Sequence, residues 1–410
     1  MTAITELELP SFDYTDPTLR GERFHHAMRD LRAQSWIASM PLGFVALERE
    51  AGEFFLRSRA FTFPGMKIAE IFGIDEGPLY EEIRRNILHI NGKDHSRLRG
   101  LVNPAFTPRA VEKWRPAMRG FLTGLWGQVE NDHRCDAVAA LCKPYPSQVI
   151  ATVMGASLDD AGRLWDWSNL IQRQFGMSVL EERAQIEQAV TEFYDYAGEL
   201  LERRREDPGE DLISTLIAAE HERSGDEAPG RGRSDRLSDV ELVNLVLNVL
   251  VGGVDTTQSQ LAHALRLFAE HPDQWARVAA EPELAPRAVE EVLRFEPITP
   301  FTARIAMQDV EYRDVTFPEG TVVLVCAFTG NRDGEPDAFD ITAERKGKPL
   351  TFGAGVHYCL GANLARAELQ EALTFLAPRT HGLALDGEPE YGTIDGIYGL
   401  DALPVRWSAA

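Results

Sequence analysis

The chain has 410 residues, of which 44% are hydrophobic and 26% charged, a composition typical of a globular protein with a large core. Its 42 Lys and Arg against 64 Asp and Glu give a formal net charge of -22, which disfavours binding to nucleic acid or to an anionic membrane surface. The cysteines at 135, 142, 326 and 359 have spacings that predict neither a zinc site nor a disulfide framework. The N-terminus lacks a signal-peptide pattern, so we expect a cytoplasmic protein.

The elements predicted along the chain are mostly helices, with short strands near both ends. Residues 20–34 predict a helix, residues 36–47 contain strand-like apolar patches, and residues 108–205 have the pattern of successive amphipathic helices. The polar, glycine-rich segment 226–235 predicts a surface loop between helices. We therefore expect a single domain over residues 1–410.

A long apolar helix follows this segment. Ser238 and Glu241 form a capping-box pattern at its start, and the sequence is apolar around most of the helix circumference up to Gly253, which predicts a helix buried in the interior. Later, residues 321–328 predict the clearest strand, and residues 361–376 predict a helix. The chain as a whole predicts a mainly α protein with a small β region.

The segment FGAGVHYCLG, residues 352–361, surrounds one cysteine with turn-forming residues. Gly353 and Gly355 bend the backbone, and Cys359 lies just before a helix N-terminus, where exposed N–H groups and the helix dipole stabilise a thiolate. A thiolate is a strong electron-donating ligand for haem iron, and Phe352 is placed to exclude water from it. The alternative is that Cys359 is a small buried hydrophobic residue at a helix start.

The buried helix contains polar residues that an apolar core does not require. Gly252 and Gly253 weaken the helix, and Asp255 and Thr256 follow at once. A buried carboxylate beside a hydroxyl is costly unless it is hydrogen-bonded or used, and a use is proton delivery. In that interpretation Thr256 holds a water or dioxygen in place and Asp255 relays protons. The alternative is a helix kink with an ordinary side-chain hydrogen bond.

Two further spacings place charged side chains on shared helix faces. Glu291 and Arg294 are three residues apart, although Glu290 is equally able to pair with Arg294 at a spacing of four. His95 and Arg99 are four residues apart. Taken alone, each set is typical of a solvated surface face.

Together these motifs resemble the cytochrome P450 family. The cysteine segment matches the family's haem-binding loop, F-G-x-G-x-H-x-C-x-G, at every specified position, and GGVDTT is similar to its A/G-G-x-D/E-T-T signature. The E-x-x-R and H-x-x-x-R patterns occur in the family's order. Two positions depart from the family: HINGKDH precedes the second pattern where D-P-P-E-H is common, and Pro349 replaces a frequent histidine.

The resemblance implies the cytochrome P450 fold, with haem b buried between the long central helix and the helix after Cys359. It assigns Cys359 as the iron ligand, Asp255 and Thr256 as catalytic residues, and Glu291 and Arg294 a structural role. Buried propionates need cations or hydrogen-bond donors, and the candidates for that role are His95, Arg99, Arg304 and His357. The other cofactor contacts that the resemblance assigns are Cys359, Phe352, Gly353, Gly252, Leu360 and Gly361. The expected substrate lining is Asn248, Val249, Val251, Pro300, Phe301, Ile397 and Tyr398.

The activity that the resemblance implies is monooxygenation. One oxygen atom of dioxygen enters a small apolar substrate, and electrons come from a separate ferredoxin and ferredoxin reductase. We expect the ferredoxin to dock near the cysteine loop on cations such as Arg97, Arg332, Lys346 and Lys348. Three alternatives are a haem-thiolate gas sensor, a peroxide-driven enzyme and a haem-free helical binding protein. The Asp255–Thr256 pair argues against the first two.

Overall fold

The computed structural model describes residues 2–225 and 237–408, so the predicted surface loop at 226–235 lies outside the described residues. The described chain is mainly helical, as predicted. Its helices are α1 (Gly21–Gln34), α2 (Arg49–Arg57), α3 (Gly65–Ile71), α4 (Pro78–Arg85), α5 (Gly92–Val102), α6 (Pro108–Glu112), α7 (Arg115–Trp126), α8 (Pro144–Met154), α9 (Ala161–Gln172), α10 (Val179–Glu206), α11 (Leu212–Gly225), α12 (Asp239–Gly253), α13 (Asp255–Glu270), α14 (Pro272–Ala280), α15 (Ala285–Phe295), α16 (Ala327–Gly330) and α17 (Ala362–Leu376).

Short strands make up the small β region. They are β1 (Thr2–Ala3), β2 (Ile37–Met40), β3 (Gly43–Ala46), β4 (Phe61–Thr62), β5 (Arg134–Asp136), β6 (Phe301–Ala306), β7 (Val310–Tyr312), β8 (Val315–Phe317), β9 (Val322–Cys326), β10 (His381–Leu385), β11 (Glu390–Tyr391), β12 (Leu400–Ala402) and β13 (Pro404–Ser408). The predicted helix at 20–34 and the strands within 36–47 and 321–328 are confirmed as α1, β2, β3 and β9.

The largest sheet has the strand order β2-β3-β9-β6-β4. Strands β2 and β3 form a two-residue hairpin, with Met40 paired to Gly43. Gly43 is required there because a Cβ would lie 2.2 Å from the Val322 carbonyl oxygen. Alternate residues of each strand point to opposite faces, so Val323 and Leu324 enter different hydrophobic clusters and apolar side chains cover both faces of the sheet.

The central helix begins as the sequence predicts and is then interrupted. The Ser238 hydroxyl accepts a hydrogen bond from the Glu241 N–H at 3.2 Å, and the Glu241 carboxylate accepts one from the Ser238 N–H at 2.8 Å. The weakness that Gly252 and Gly253 predict in this helix is seen at Val254, which lies between the end of α12 and the start of α13. The glycines before it permit this break.

Residues 239–270 are long and apolar enough to cross a membrane by length and composition. However, 67% of the most apolar window is buried inside the protein, and α13 packs against α15 and α17. The stretch therefore lies in the core of the fold, as the absence of a polar helix face predicts.

The E-x-x-R pair on α15 is buried and forms the centre of a larger cluster. The Glu291 carboxylate accepts hydrogen bonds from Arg294 at 2.8 Å, from Arg345 at 2.6 Å and from the Asp340 N–H at 2.9 Å. These donors hold the pKa of Glu291 below its usual value against the opposing effect of burial. Glu290, the other candidate partner of Arg294, pairs instead with Arg366 on α17.

We expect Glu291→Gln to destabilise the protein strongly. It removes the negative charge between two largely buried guanidinium groups, and breaking a buried ion pair from one side costs about 3–5 kcal/mol. Urea unfolding measures the loss. Glu290→Gln is the matched control, because the Glu290 side chain is 40% exposed and such a pair contributes roughly 0–1 kcal/mol. Equal losses in the two variants would contradict the prediction.

Candidate active site

The cysteine loop is shaped by two glycines with left-handed backbone. Gly353 has φ of 66° and Gly355 has φ of 75°, and a Cβ at Gly355 would lie 2.6 Å from the Leu56 carbonyl oxygen. The loop then folds back, so that the Cys359 N–H donates to the Phe352 carbonyl oxygen at 3.0 Å. These turns place Cys359 three residues before the first residue of α17, as the sequence predicts.

Cys359 is half-buried and has donors around its sulfur. Burial raises the pKa of the thiol, whereas the backbone N–H groups of Gly361 and Ala362 and the charges of Arg99 and Arg366 lower it. Because burial has the largest effect, the protein alone favours the neutral thiol. A bound cation would favour the thiolate, since a coordinating thiol loses its proton.

Four basic side chains gather beside this loop. The rings of His95 and His357 are 4.3 Å apart, and the Arg99 guanidinium donates to the Tyr358 carbonyl oxygen. Arg304 is 3% exposed and donates to the Ala303 carbonyl oxygen at 2.8 Å. Within residues 2–225 and 237–408, no carboxylate forms an ion pair with any of the four basic side chains His95, Arg99, Arg304 and His357.

The pKa values of this cluster are all displaced towards the neutral forms. Burial lowers the pKa of Arg304 from 12.5 to about 10. Burial also lowers the pKa of His357 to about 3, assisted by the charges of His95, Arg304 and Arg99. Basic groups in such a site are costly to charge unless an anion is bound. The cluster therefore fits a ligand with carboxylates, as the two haem propionates would be.

Glycines on both sides of the site border open space. No heavy atom of the described chain lies within 4 Å of a Cβ built on Gly252 of α12, Gly353 or Gly361. Gly252 is exposed although its neighbour Val251 is buried. Bare backbone facing open space, on the central helix and on the cysteine loop, fits a flat cofactor in close approach. The residues present thus fit the haem that the sequence implies.

The acid–alcohol pair lies at the break between α12 and α13. The Thr256 hydroxyl donates to the Gly252 carbonyl oxygen at 2.5 Å, one helical turn back. Asp255 is 8% exposed, and burial raises the pKa of its carboxyl to about 6. A hydrogen bond with Asn169 and the charge of Arg173 oppose that rise. Asn169 lies near the end of α9 and Arg173 directly follows that helix; neither partner was predicted.

The predicted substrate-lining residues are in several different environments. Pro300 is buried, Phe301 and Ile397 are partly buried, and Val249 and Val251 belong to the main hydrophobic core. The structure corrects the placement of Tyr398, which is fully buried in an aromatic cluster and whose hydroxyl accepts from the Gly21 N–H at 2.7 Å. A tyrosine with both its ring and its hydroxyl engaged in this way is a core residue.

Two other predicted roles are also changed by the structure. The amide of Asn248 is engaged, because its oxygen accepts from the Ile87 N–H at 2.9 Å. Arg332, expected on a docking surface, has an 8% exposed side chain that pairs with Asp337 and lies over the Phe328 ring. Lys346 and Lys348 are exposed as expected, whereas Arg97 pairs with Glu241. Arg332 is therefore a structural residue.

Comparisons with known proteins agree with this geometry. The sequence profile described as Cytochrome P450 matches residues 74–376. A luteothin monooxygenase from Streptomyces thioluteus is 36% identical over all of this chain and 99% of its own length. A nocardicin C N-oxygenase from Nocardia uniformis subsp. tsuyamanensis is 40% identical over 74% of both chains. The crystal structure of CalO2 superposes with a TM-score of 0.88 at 29% identity, covering 98% of this chain and 100% of that one.

The fold and the site fit a haem-thiolate protein, with a cysteine available to ligate the iron and basic residues available to bind the propionates. The chain belongs to the cytochrome P450 family. It is a monooxygenase of that family with haem as its cofactor.

We expect Arg304→Met to stabilise the protein without haem and to weaken haem binding. The pKa of this buried guanidinium falls from 12.5 to about 10, which corresponds to about 3 kcal/mol of unfavourable environment when no anion is bound. The apoprotein should melt at a higher temperature, while haem should transfer faster to apomyoglobin. Arg109→Met, at an exposed position on α6, should change neither. An apoprotein that melts at a lower temperature would refute this prediction.

Proposed function

We propose that this enzyme uses dioxygen to hydroxylate, or oxidise in a related way, a small apolar organic molecule. Electrons come from a separate ferredoxin and ferredoxin reductase, and the enzyme works in the cytoplasm as a single domain over residues 1–410. The names of relatives support an oxidation of organic substrates: one is a monooxygenase, another an N-oxygenase, and a third, from Micromonospora griseorubida, a mycinamicin IV hydroxylase/epoxidase.

Different residues of the chain would bind different parts of the cofactor. Bound haem supplies the redox chemistry that activates dioxygen. Cys359 provides the thiolate, and the N–H groups of Gly361 and Ala362 stabilise its charge. His95, Arg99, Arg304 and His357 bind the propionates. The remaining predicted contacts, Phe352, Gly353, Gly252, Leu360 and Gly361, supply apolar cover and close backbone approach.

The observation that carries the monooxygenase assignment is the acid–alcohol pair at the helix break. A carboxyl with a pKa of about 6 exchanges protons near neutral pH, so Asp255, with Asn169 bonded to it and the charge of Arg173 acting on it, is suited to relay protons from solvent. Thr256 holds its hydroxyl at the Gly252 carbonyl, beside the open space on α12. A gas sensor does not need a proton relay. Enzymes driven by peroxide alone usually lack the acid–alcohol pair.

The substrate side supports an apolar ligand. Pro300, Phe301 and Ile397 contribute apolar side chains, and the amide of Asn248 is already bonded to the protein. Such a lining selects by shape and apolar area. The ferredoxin docks on a surface where the exposed Lys346 and Lys348 supply positive charge, although the net charge of the chain is -22.

The experiment uses purified holoenzyme. A panel of terpenes, steroids, fatty acids and aromatics is screened by the low- to high-spin absorbance change. Each compound that shifts the spectrum is then tested with a surrogate ferredoxin, its reductase and dioxygen. We expect an oxygenated product and substrate-stimulated oxygen uptake. Full activity with peroxide alone would support the peroxide-driven alternative, and slow haem reduction without stimulated uptake would support the sensor.

A further inference from the structure

The side chain of Asn91, which directly precedes α5, bonds to two distant segments of the chain as well as to its own. Its NH2 group donates to the His89 carbonyl oxygen at 3.1 Å. Its oxygen accepts from the Thr62 hydroxyl of β4 at 2.5 Å and lies 3.2 Å from Nε2 of His357 in the cysteine loop. One amide therefore connects β4, the start of α5 and the cysteine loop.

The donors and acceptors present fix the orientation of this amide and of the His357 ring. Because the His89 carbonyl only accepts, the Asn91 NH2 group must face it. The amide oxygen then faces Thr62 and His357, and since it also only accepts, Nε2 of His357 is the donor. Nδ1, the other ring nitrogen, has no hydrogen-bond partner within residues 2–225 and 237–408. Nε2 thus anchors the ring to the protein, and Nδ1 is left for a ligand.

Asn91 also occupies the N-cap position of α5, yet its side chain accepts no hydrogen bond from that helix. Asparagine is among the residues that cap helices best. At the start of α6 the expected cap is present, because the Thr107 hydroxyl accepts from the Ala110 N–H at 3.2 Å. The Asn91 oxygen is instead directed away from α5, so its bonds to Thr62 and His357 take the place of a favourable cap.

A second link joins α5 to the same loop further along the helix. The Arg99 guanidinium donates to the Tyr358 carbonyl oxygen. Residues 91 and 99 are eight positions apart, about 12 Å along a helix axis. His95 lies midway between them, with its ring 4.3 Å from the His357 ring. The two links therefore set the spacing between the basic side chains of α5 and those of the cysteine loop.

We propose that Asn91 is a positioning residue for haem: its amide holds the His357 ring by Nε2 and fixes the start of α5 against the cysteine loop, so that the basic side chains of both keep the spacing that binds the propionates. The inference rests on haem binding beside Cys359. An aspartate, common at this position in the family, keeps an acceptor for His357 but has no donor for the His89 carbonyl.

The test compares haem retention in variants of the holoenzyme. In Asn91→Ala, haem should transfer to apomyoglobin about fivefold faster than in the wild type, the factor for one ordinary hydrogen bond. The effect is of this size because Asn91 is exposed and water competes for its bonds. The propionate bending bands of the resonance Raman spectrum should shift, since they respond to hydrogen bonding at the propionates. Asn131→Ala, at an exposed position in the turn before β5, should change neither.

Two conservative variants separate positioning from helix capping. Asn91→Ser supplies a good capping hydroxyl, but its side chain is one bond shorter and has a single polar group, so it should lose haem as fast as Asn91→Ala. Asn91→Asp keeps an acceptor for Thr62 and His357 and should restore most of the haem retention. All three variants at this position should keep the thiolate band of the carbon monoxide complex, because Cys359 is unchanged.

Three results would each overturn the proposal. The first is an Asn91→Ala enzyme with the wild-type transfer rate and propionate bands. The second is an Asn91→Ser enzyme that retains haem like the wild type, which would show that capping of α5 is what this side chain contributes. The third is an Asn91→Asp enzyme that loses haem as fast as Asn91→Ala. A failure of the haem assignment is distinguishable, since the wild-type protein itself would then give no thiolate band.

Discussion

Cys359→Ala should abolish the long-wavelength Soret band of the reduced carbon monoxide complex, which is typical of thiolate ligation in this family. We propose this side chain as the thiolate donor of the site. The other three cysteines lie elsewhere: Cys142 and Cys326 are buried in the core and Cys135 is on β5. Haem binding should weaken without disappearing, because the four basic residues at the propionates are unchanged. Difference spectroscopy and haem titration measure the two effects.

Cys142→Ala and Cys326→Ala are matched controls for the loss of a buried sulfur. Both should retain the thiolate band, although each leaves a small cavity. Cys359→Ser should behave like Cys359→Ala, because the turn geometry of the loop is preserved while the soft, electron-donating ligand is lost. A thiolate band in either Cys359 variant would show that the ligand had been wrongly assigned.

Thr256→Ala should separate electron use from product formation. Substrate binding should remain, since the hydroxyl bonds to the Gly252 carbonyl and the substrate lining is unchanged. Product formation should fall by roughly 10²-fold, the lower end of general acid–base contributions. Two electrons from the reduced donor and two protons then convert dioxygen to hydrogen peroxide, which is released. The measurement is product and peroxide formed per electron supplied by the surrogate ferredoxin.

Thr256→Ser keeps the hydroxyl and should recover most of the coupling. Thr257→Ala removes the neighbouring hydroxyl, which is buried in α13, and serves as the position control. A Thr256→Ala enzyme that forms product with wild-type yield per electron would rule out the proton-delivery role. Asp255 would then be a buried carboxyl held by Asn169 for structural reasons.

The two main sites of this protein use buried charge in opposite ways. At the basic cluster beside Cys359, burial lowers the pKa values of Arg304 and His357, and no carboxylate of the described residues pairs with either of them. At α15, Glu291 is matched by Arg294 and Arg345 and has a lowered pKa. The unmatched set indicates a ligand site and the matched set a structural one. This distinction requires the three-dimensional partners and is not visible in spacing alone.

Some of the site depends on short-range order and was predictable from sequence. There are two such places: the glycines around Cys359 with the helix that starts at Ala362, and the Gly252–Thr256 break. Within each of them the residues concerned lie within a few positions of one another. Turn geometry, capping and helix dipoles act over that range. The local sequence pattern is therefore enough to predict the local structure and its chemistry. The capping box at Ser238 and the buried character of α12 are of the same kind.

Other residues act only because helices pack in one particular way. Arg345 reaches Glu291 across 54 positions of sequence, and Asn244 reaches Glu82 across 162. Tyr398 and Arg332 were assigned to a pocket and a surface, yet packing against Phe24 and Phe328 buries both. Hydrophobic periodicity tells which face of a helix is buried, but it does not say against which partner. The sequence alone predicted the cofactor ligand and the weak point in the central helix from short-range patterns, whereas the tertiary structure decided which buried charges are paired.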